Sequence, residues 1–129
     1  MASINIKREI MDTVEGGVER VTKALAAEGF GVLTRIDMHT KIKDKTGKDI
    51  VPTVILGSCN PNLAYEAYTA NSDVAGVLPC NVVVREVAPG RLSVECALPS
   101  AMMRILGDDG LTMLAAKADT LVARALKAV

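Results

Sequence analysis

The 129-residue chain predicts a single α+β domain over residues 1–129, a two-layer sandwich of one mostly antiparallel sheet with helices packed on one face. Three observations support this class. Strand and helix periodicities follow each other in the order β-α-β-short helix-β-α-β-β-α-α. The last two strands flank Ala88-Pro89-Gly90, a tight reversal typical of an antiparallel hairpin. Half of the residues are hydrophobic but only 2% are aromatic, which indicates an aliphatic core. A ferredoxin-like arrangement is the structural alternative, because the order contains βαβ-βαβ.

The N-terminal third predicts two strands separated by a helix. In residues 3–10, isoleucines at even positions indicate a half-buried strand. Asp12 or Thr13 can cap the helix that follows, and Gly29 suits the left-handed residue after its end. The apolar stripe of this helix consists of Val14, Val18, Val21 and Leu25. The second strand is expected to show one face made of Phe30, Val32, Thr34, Ile36 and Met38.

The middle of the chain predicts a central strand and a capped helix. Residues 39–49 are polar and form either a short helix closed by Gly47 or a mobile loop. Pro52 precedes a strand from Thr53 to Cys59 that is apolar on both faces, as expected inside a sheet. Asn60 can cap the next helix, with Pro61 at its first position. The apolar side of that helix consists of Leu63, Ala64, Ala67 and Tyr68.

The C-terminal half predicts the hairpin and two helices. After a turn-rich connection, a strand runs from Cys80 to Val87. The next strand, residues 91–98, alternates cleanly. Its inward residues are Leu92, Val94, Cys96 and Leu98, and its outward residues are Arg91, Ser93 and Glu95. A short helix over residues 99–106 ends at Gly107. The long last helix buries a stripe made of Leu111, Leu114, Ala115, Ala118, Leu121, Val122, Ala125 and Leu126.

Charge and composition exclude several classes of function. Lys plus Arg and Asp plus Glu each number 15, so no electrostatic argument favours nucleic acid or an anionic membrane. Scarce aromatic residues argue against a platform for stacking single-stranded bases. The longest apolar stretch, residues 74–84, is shorter than the roughly 20 residues that span a bilayer. Because the start lacks the apolar region of a signal peptide, we expect a cytoplasmic protein whose three cysteines are free thiols.

Two short segments, Gly57-Ser58-Cys59-Asn60-Pro61 and Leu78-Pro79-Cys80-Asn81, place a cysteine directly before an asparagine at a strand boundary. The candidate ligand-binding residues at the predicted strand ends are Asp37, Cys59, Asn60, Cys80 and Asn81. If the two cysteine-bearing strands are antiparallel, the thiols lie at one edge of the sheet. If the strands run parallel through a crossover, the thiols lie at opposite ends and cannot meet.

The cysteines permit two interpretations. Cys59 precedes a helix N-terminus, which favours a thiolate and an anion, so that Cys59 and Cys80 could form a reactive pair. Alternatively both are small packing residues, as Cys96 is expected to be, because free cysteines are among the most buried residues. The sequence lacks CxxC, HxH and HExxH spacings, a P-loop, a dinucleotide fingerprint and a hydrolase elbow, so we expect neither a metal nor a cofactor and infer no reaction.

The polar segment 39–49 also permits two interpretations. His39 is expected to be a solvated residue, unless the segment folds toward Asp37 and the imidazole serves as an acid or base. The lysines of the segment are interleaved with two aspartates, which is typical of a solvated face. An anion-binding flap is the alternative for these lysines.

At residues 56–66 and 78–84 the chain resembles the family called domain of unknown function 302, and the resemblance extends over nearly the whole chain. The resemblance implies a small two-layer α/β fold that often pairs into dimers, and it implies no activity. Cys59 and Cys80 together resemble the cysteine-bearing variant of this family. Asp37 stands where the family often places an aspartate, but Met38 occupies the next position, where the other variant often has a histidine.

The expected function is a homodimeric small-ligand-binding module with an unassigned activity. The alternative is a thiol-based redox or sulfur-handling protein that uses Cys59 and Cys80. A third possibility is a structural protein whose function is its dimer surface.

Overall fold

The structure is a computed structural model that describes residues 5–129. Its strands are β1 (Asn5–Met11), β2 (Gly31–Asp37), β3 (Thr53–Cys59), β4 (Cys80–Ala88) and β5 (Arg91–Ala97). Its helices are α1 (Val14–Ala27), α2 (Met38–Thr46), α3 (Pro61–Ala70), α4 (Pro99–Met103) and α5 (Thr112–Lys127), with 3-10 turns at Ser72–Val77, Arg104–Leu106 and Asp109–Leu111. Within residues 5–129, no helix is long and apolar enough to cross a membrane.

The strands form one antiparallel sheet in the order β1-β5-β4-β3-β2. Strands β2, β3, β4 and β5 are neighbours in the sheet in the same order as in the chain. Strand β1 pairs with β5 and forms the other edge of the sheet. The predicted α+β sandwich is therefore confirmed. The ferredoxin-like alternative is not found. Its split βαβ unit would not place the first two strands at opposite edges of the sheet, whereas β1 and β2 are the two edge strands here.

The core lies between one face of the sheet and helices α1 and α5. A Cβ added at Gly17 would lie 2.4 Å from Leu92 Cδ1, so the missing side chain lets α1 approach β5 closely. The core contains the predicted stripe of α1, the C-terminal part of the α5 stripe and the inward residues of the central strands, whereas Leu111 and Leu114 belong to a second, smaller cluster. Its fully buried members include Val21, Leu25, Val54, Leu56, Val82, Val84, Leu92, Val94 and Val122. We call the opposite face, which carries the outward residues of the strands, the open face.

The N-terminal elements follow the prediction closely. Thr13 caps α1, and its Oγ1 accepts a hydrogen bond from the Gly16 amide at 3.0 Å. Gly29 adopts the left-handed conformation with φ 84°, which ends the helix before β2 begins. Two residues of the predicted first strand, Ser3 and Ile4, lie outside the described residues.

The prediction that β2 shows one continuous face is wrong. Val32 lies opposite Ser58, while Thr34 lies opposite Gly57, the next residue of β3, so Leu33 is an extra residue in the strand. This bulge reverses the alternation, because an inserted residue moves every later side chain to the other face. Thr34 and Ile36 therefore lie on the open face, and Leu33 is 64% exposed.

The polar segment after β2 is a helix. Helix α2 ends at Gly47, whose φ of 72° is left-handed and which hydrogen-bonds back to Lys43. The His39 imidazole ties this helix to β3, because its Nδ1 accepts a hydrogen bond from the Thr53 amide at 3.0 Å. His39 is thus half-buried at the start of β3 and is not the fully solvated residue that its sequence context suggested.

Ser93 and Glu95 point outward as predicted, but both are buried. The Glu95 carboxylate forms a salt bridge with Arg85 on β4, accepts a hydrogen bond from Ser93 at 3.0 Å and lies 4.0 Å from the Lys7 ammonium. The long side chains of Arg85 and Lys7, on the two neighbouring strands, therefore shield the Glu95 carboxylate from solvent.

Candidate functional site

The antiparallel pairing of β3 and β4 brings Cys59 and Cys80 to one edge of the sheet. Ser58 lies directly opposite Cys80, and Cys59 is the next residue along β3. Opposed residues lie about 5 Å apart and successive residues about 3.3 Å apart, which places the two cysteine Cα atoms roughly 6 Å from each other. Of the two arrangements open at the sequence level, the structure shows the one in which the cysteines are neighbours, and alternation along β3 directs the Cys59 side chain to the face opposite that of Ser58 and Cys80.

Both cysteines line a cavity of about 40 Å³, which we call the thiol cavity. Helix α3 covers one side of it, and the start of α5 covers another. Its apolar wall consists of Phe30, Leu63, Ala64, Ala67, Leu78, Leu111, Leu114 and Ala115. The wall residues that carry side-chain heteroatoms are Ser58, Cys59, Asn60, Cys80 and Met103. Among residues 5–129, no charged side chain lines the cavity.

Ser58 and Asn60 use their polar groups within the fold. The Ser58 hydroxyl donates to the Cys80 carbonyl oxygen at 3.2 Å. Asn60 Oδ1 caps α3 by accepting from the Leu63 amide at 3.2 Å, as the sequence predicted, and Asn60 Nδ2 donates to the Glu28 carbonyl oxygen at 3.5 Å. Across residues 5–129, neither the Cys59 nor the Cys80 thiol makes a hydrogen bond. The thiols therefore remain free to meet a ligand.

Burial keeps both thiols protonated at neutral pH. Desolvation raises the pKa of Cys59, although the residue precedes the N-terminus of α3. Desolvation also raises the pKa of Cys80, to about 11, with smaller contributions from Cys59 and from Asp119 on α5. The structure therefore does not support a thiolate at Cys59, because loss of water outweighs the helix dipole at this position.

Cys96 lies in the core, as its place on an alternating strand predicted. Its side chain is 1% exposed, and burial raises its pKa to about 12. Its thiol donates to the Ala97 carbonyl oxygen at 3.3 Å. Cys96 does not line the thiol cavity and serves below as an internal control.

Two of the five candidate residues lie away from the thiol cavity. Asp37 pairs with Val54 near the opposite end of β3, roughly 17 Å along the strand from Cys59. Its carboxylate forms a salt bridge with Arg35 Nε at 3.1 Å. Asn81 faces solvent beside Gly57 on the open face, because it follows the inward-facing Cys80. The structure thus brings together only Cys59, Asn60 and Cys80.

Four other wall residues come from the C-terminal helical segment, and the sequence analysis considered three of them only as part of the buried stripe of the last helix. They are Met103, Leu111, Leu114 and Ala115. The periodicity of α5 predicts that its stripe is buried, but periodicity does not distinguish a filled core from a cavity wall. That difference depends on how α5 lies against α3.

A second cavity of about 140 Å³ adjoins the first, and Met103, Leu111 and Ala115 contribute to both walls. Its remaining wall is more polar and consists of Ser100, Arg104, Gly107, Asp108, Asp109 and Thr112. Because the two thiols line only the apolar cavity, we take that cavity as the candidate site. Residues 5–129 contain no group of three or more His, Cys, Asp or Glu side chains that could hold a metal ion.

Comparisons with known proteins identify the family of the chain. Residues 6–129 match the family described as domain of unknown function DUF302. A crystal structure of an uncharacterized conserved protein DUF302 from Bacillus stearothermophilus is similar, with a TM-score of 0.89 and 29% sequence identity over 98% of each chain. No curated protein matches the chain. The chain therefore belongs to the DUF302 family.

Proposed function

We propose that this protein is a small-ligand-binding module and that the thiol cavity is its binding site. The observation that carries the proposal is an apolar cavity whose wall includes Cys59 and Cys80, two cysteines whose thiols have no hydrogen-bond partners in the described chain. Well-packed interiors contain few voids larger than a water molecule. A cavity kept beside two polarizable thiols is therefore a feature that simple core packing does not require.

The size and charge of the cavity restrict the ligand. Sites for drug-sized molecules occupy about 300–1,000 Å³, whereas a single water needs about 10–15 Å³ of space. At about 40 Å³, the thiol cavity holds a ligand of one or a few heavy atoms. Since no basic side chain lines it, phosphate and carboxylate ligands lack a partner there. The ligand is thus small and soft, with little or no negative charge.

Xenon is a suitable probe because it enters dry apolar cavities. Methyl-resolved NMR under xenon pressure should show saturable shifts at Leu63, Leu78 and Leu114. Substitution Ala64→Leu should fill the cavity and abolish these shifts while leaving both thiols in place. The control Ala116→Leu adds the same volume at an exposed position of α5. Absence of binding, or equal binding by the Ala64→Leu variant, would contradict the proposal.

The neighbouring positions of Cys59 and Cys80 favour a second candidate, a thiol–disulfide function. A separation of roughly 6 Å between the two Cα atoms lies in the disulfide range, but alternation along β3 turns the Cys59 side chain to the face opposite that of Cys80, so the end of β3 must rotate before the bond can close. Oxidised glutathione would accept the two electrons in this reaction. One protein thiolate would attack the glutathione disulfide and release one glutathione thiol. The second protein thiolate would then displace the other glutathione and close the Cys59–Cys80 bond, and both cysteine protons would leave. The raised pKa values make this reaction slow at neutral pH.

Incubation with oxidised glutathione followed by peptide mapping tests this candidate. A Cys59–Cys80 crosslink should form in the Cys96→Ala variant at a rate that rises with pH. If only stable glutathione adducts accumulate, or if the crosslink involves Cys96 in the unmodified protein, the pair is not a redox couple.

The proposal includes a homodimer formed through the open face, because α1 and α5 pack on the other face and apolar side chains of this face, such as Ile36 at 41%, are partly exposed. Ile36, Ile55 and Val83 are directly opposed across β2, β3 and β4 and form one apolar row, which continues into the Glu95 and Lys7 pair. A second copy packed on this row would bury its apolar part. We place the protein in the cytoplasm, where thiols stay reduced.

A further inference from the structure

We propose that the ligand of the thiol cavity is an α-amino acid with a small aliphatic side chain, whose charged head group lies in the adjoining polar cavity. This inference rests on the proposed ligand-binding function and extends the ligand beyond the thiol cavity. The restriction to a few heavy atoms then applies to the side chain alone. Recognition uses the apolar wall of the thiol cavity and requires no reaction of either cysteine.

The two cavities share part of their walls, so a single ligand can occupy both. Met103, Leu111 and Ala115 contribute to both walls. Leu111 and Ala115 are buried, whereas Met103 is half-buried. A methionine side chain is unbranched, rotates about three bonds and fills irregular spaces. Met103 can therefore adjust to a ligand that passes from one cavity into the other.

The volumes of the two cavities suit the two ends of such a molecule. A single water needs about 10–15 Å³ of space, so the thiol cavity of about 40 Å³ accommodates roughly three or four heavy atoms. That is the size of a valine or leucine side chain. The adjoining cavity of about 140 Å³ has room for the amino and carboxylate groups together with bridging waters.

The polar cavity carries one cation and one anion that have no partner in the described chain. Arg104 and Asp109 line it, and within residues 5–129 neither side chain forms a hydrogen bond or an ion pair. Asp108 also lines the cavity, but its Oδ1 accepts from the Gly110 amide at 2.8 Å and its Oδ2 accepts from Asn71 at 3.0 Å. The two available charges of opposite sign match the carboxylate and the ammonium group of an amino acid.

Access and helix polarity support the same position for the head group. Arg104 and Asp109 are exposed, so a ligand can reach the polar cavity from solvent. Thr112 lies in the same wall and begins α5, a helix of 16 residues without a side-chain cap. The partial positive charge at this N-terminus attracts a carboxylate. The polar cavity thus favours a charged head group, while the thiol cavity favours an apolar end.

The test compares leucine with analogues that each lack one part of the molecule, by isothermal titration calorimetry at neutral pH. Isoamylamine lacks the carboxylate, isocaproate lacks the ammonium group, and alanine lacks most of the aliphatic side chain. The wild-type protein should bind one leucine per chain. Each analogue should bind at least about five- to tenfold more weakly, because each has lost one of the three interactions.

Two substitutions remove the head-group contacts one at a time. Arg104→Gln should weaken leucine binding about five- to tenfold and should not weaken isoamylamine binding. Asp109→Asn should weaken leucine binding by a similar factor and should not weaken isocaproate binding. Because both side chains are exposed and unpaired in the described chain, both variants should keep the wild-type fold. Arg91→Gln and Asp44→Asn, at exposed positions outside both cavities, are the matched controls and should bind leucine like the wild-type protein.

Ala64→Leu fills the thiol cavity and should lower leucine affinity to that of alanine for the wild-type protein. The proposal is overturned if the wild-type protein does not bind leucine, or if any of the three analogues binds as tightly as leucine. It is also overturned if Ala64→Leu leaves leucine affinity unchanged, or if the charge variants and their controls have equal effects.

The xenon experiment separates this inference from the proposed function. If xenon enters the thiol cavity and leucine does not bind, the ligand-binding function stands and the amino-acid assignment fails. If neither binds, both fail.

Discussion

At the scale of single residues, Cys80 shows how burial changes the chemistry of a side chain. Cys80 is the first residue of the central strand β4 and lines the thiol cavity, and loss of water raises its pKa to about 11 from an ordinary value of 9.0. A cysteine that reacts readily at neutral pH needs a lowered pKa and some exposure. Cys80 is partly exposed but lacks a lowered pKa, so its thiol should react slowly at neutral pH.

The raised pKa of Cys80 predicts a pH dependence of stability. An acid whose pKa is higher in the folded state contributes stability that is present below its unfolded pKa and is lost as pH rises. The free energy of unfolding should therefore fall between about pH 9 and pH 11, and Cys80 should account for about 2 to 3 kcal/mol of that fall. Urea unfolding at several pH values should show a flatter profile for Cys80→Ala. Parallel profiles for the two proteins would contradict the assignment.

Gly57 is a second residue whose surroundings fix its identity. A Cβ added there would lie 2.2 Å from Thr34 Oγ1 and 2.8 Å from Pro79 Cγ, so the ring and the hydroxyl would both have to shift. We expect Gly57→Ala to lower the free energy of unfolding by about 1–3 kcal/mol, the usual cost of overpacking. Chemical denaturation measures this loss.

Gly31 is the matched control for Gly57, because it lies on the adjacent strand β2 and an added Cβ would meet no atom within 4 Å. Its φ is not positive, so Gly31→Ala should leave stability unchanged or raise it by up to about 1 kcal/mol. Equal losses at the two glycines would show that backbone conformation, and not the contact with Thr34 and Pro79, makes glycine necessary.

At the scale of elements, one side chain fixes the start of α3. Asn60 caps the helix through Oδ1 and reaches the end of α1 through Nδ2, so it fixes both the start of the helix and its position against Glu28. Since α3 forms one wall of the thiol cavity, this residue also maintains the shape of the site.

Substitution Asn60→Ala should cost about 1 kcal/mol for the lost cap. It should also weaken xenon binding, because α3 loses its attachment to Glu28. Asn62→Ala, at an exposed position inside the same helix, should change neither property. Thermal unfolding and xenon titration of both variants check this prediction, and a destabilised Asn60→Ala variant with unchanged xenon affinity would restrict Asn60 to capping.

At the scale of the whole molecule, the two faces of the sheet differ. One face is covered by α1 and α5, while the open face has an apolar row made of Ile36, Ile55 and Val83. If a second copy covers this row, a charge placed within it should separate the copies, because an unpaired buried charge is costly.

Substitution Val83→Lys should convert the proposed dimer into a monomer. Sedimentation velocity at micromolar concentration measures the change. The control Met113→Lys introduces the same charge on α5 at a residue that is 85% exposed and distant from the open face. A wild-type monomer, or a Val83→Lys dimer as tight as the wild-type dimer, would contradict this interface.

The elements of this protein follow from local patterns in the sequence. The stripe of α5, the alternation of β5, the cap at Asn60 and the stop at Gly47 depend on residues within a few positions of one another, and all four occur as predicted. The buried position of Cys96 follows from the same alternation. Periodicity and capping are local physical effects, so they can be read without knowing the fold.

The arrangement of the site depends on contacts between distant parts of the chain. The extra residue Leu33 places Thr34 and Ile36 on the open face. No residue type in β2 indicates such a bulge in the sequence. Asp37 and Asn81 do not belong to the candidate site. Strand direction places Asp37 near the opposite end of β3, and side-chain alternation places Asn81 on the open face. The antiparallel pairing of β3 with β4 and the packing of α4 and α5 near α3 place Met103 in the same cavity wall as Cys59 and Cys80. Local patterns therefore predict which residues are buried, whereas strand pairing and helix packing decide which buried residues share a cavity.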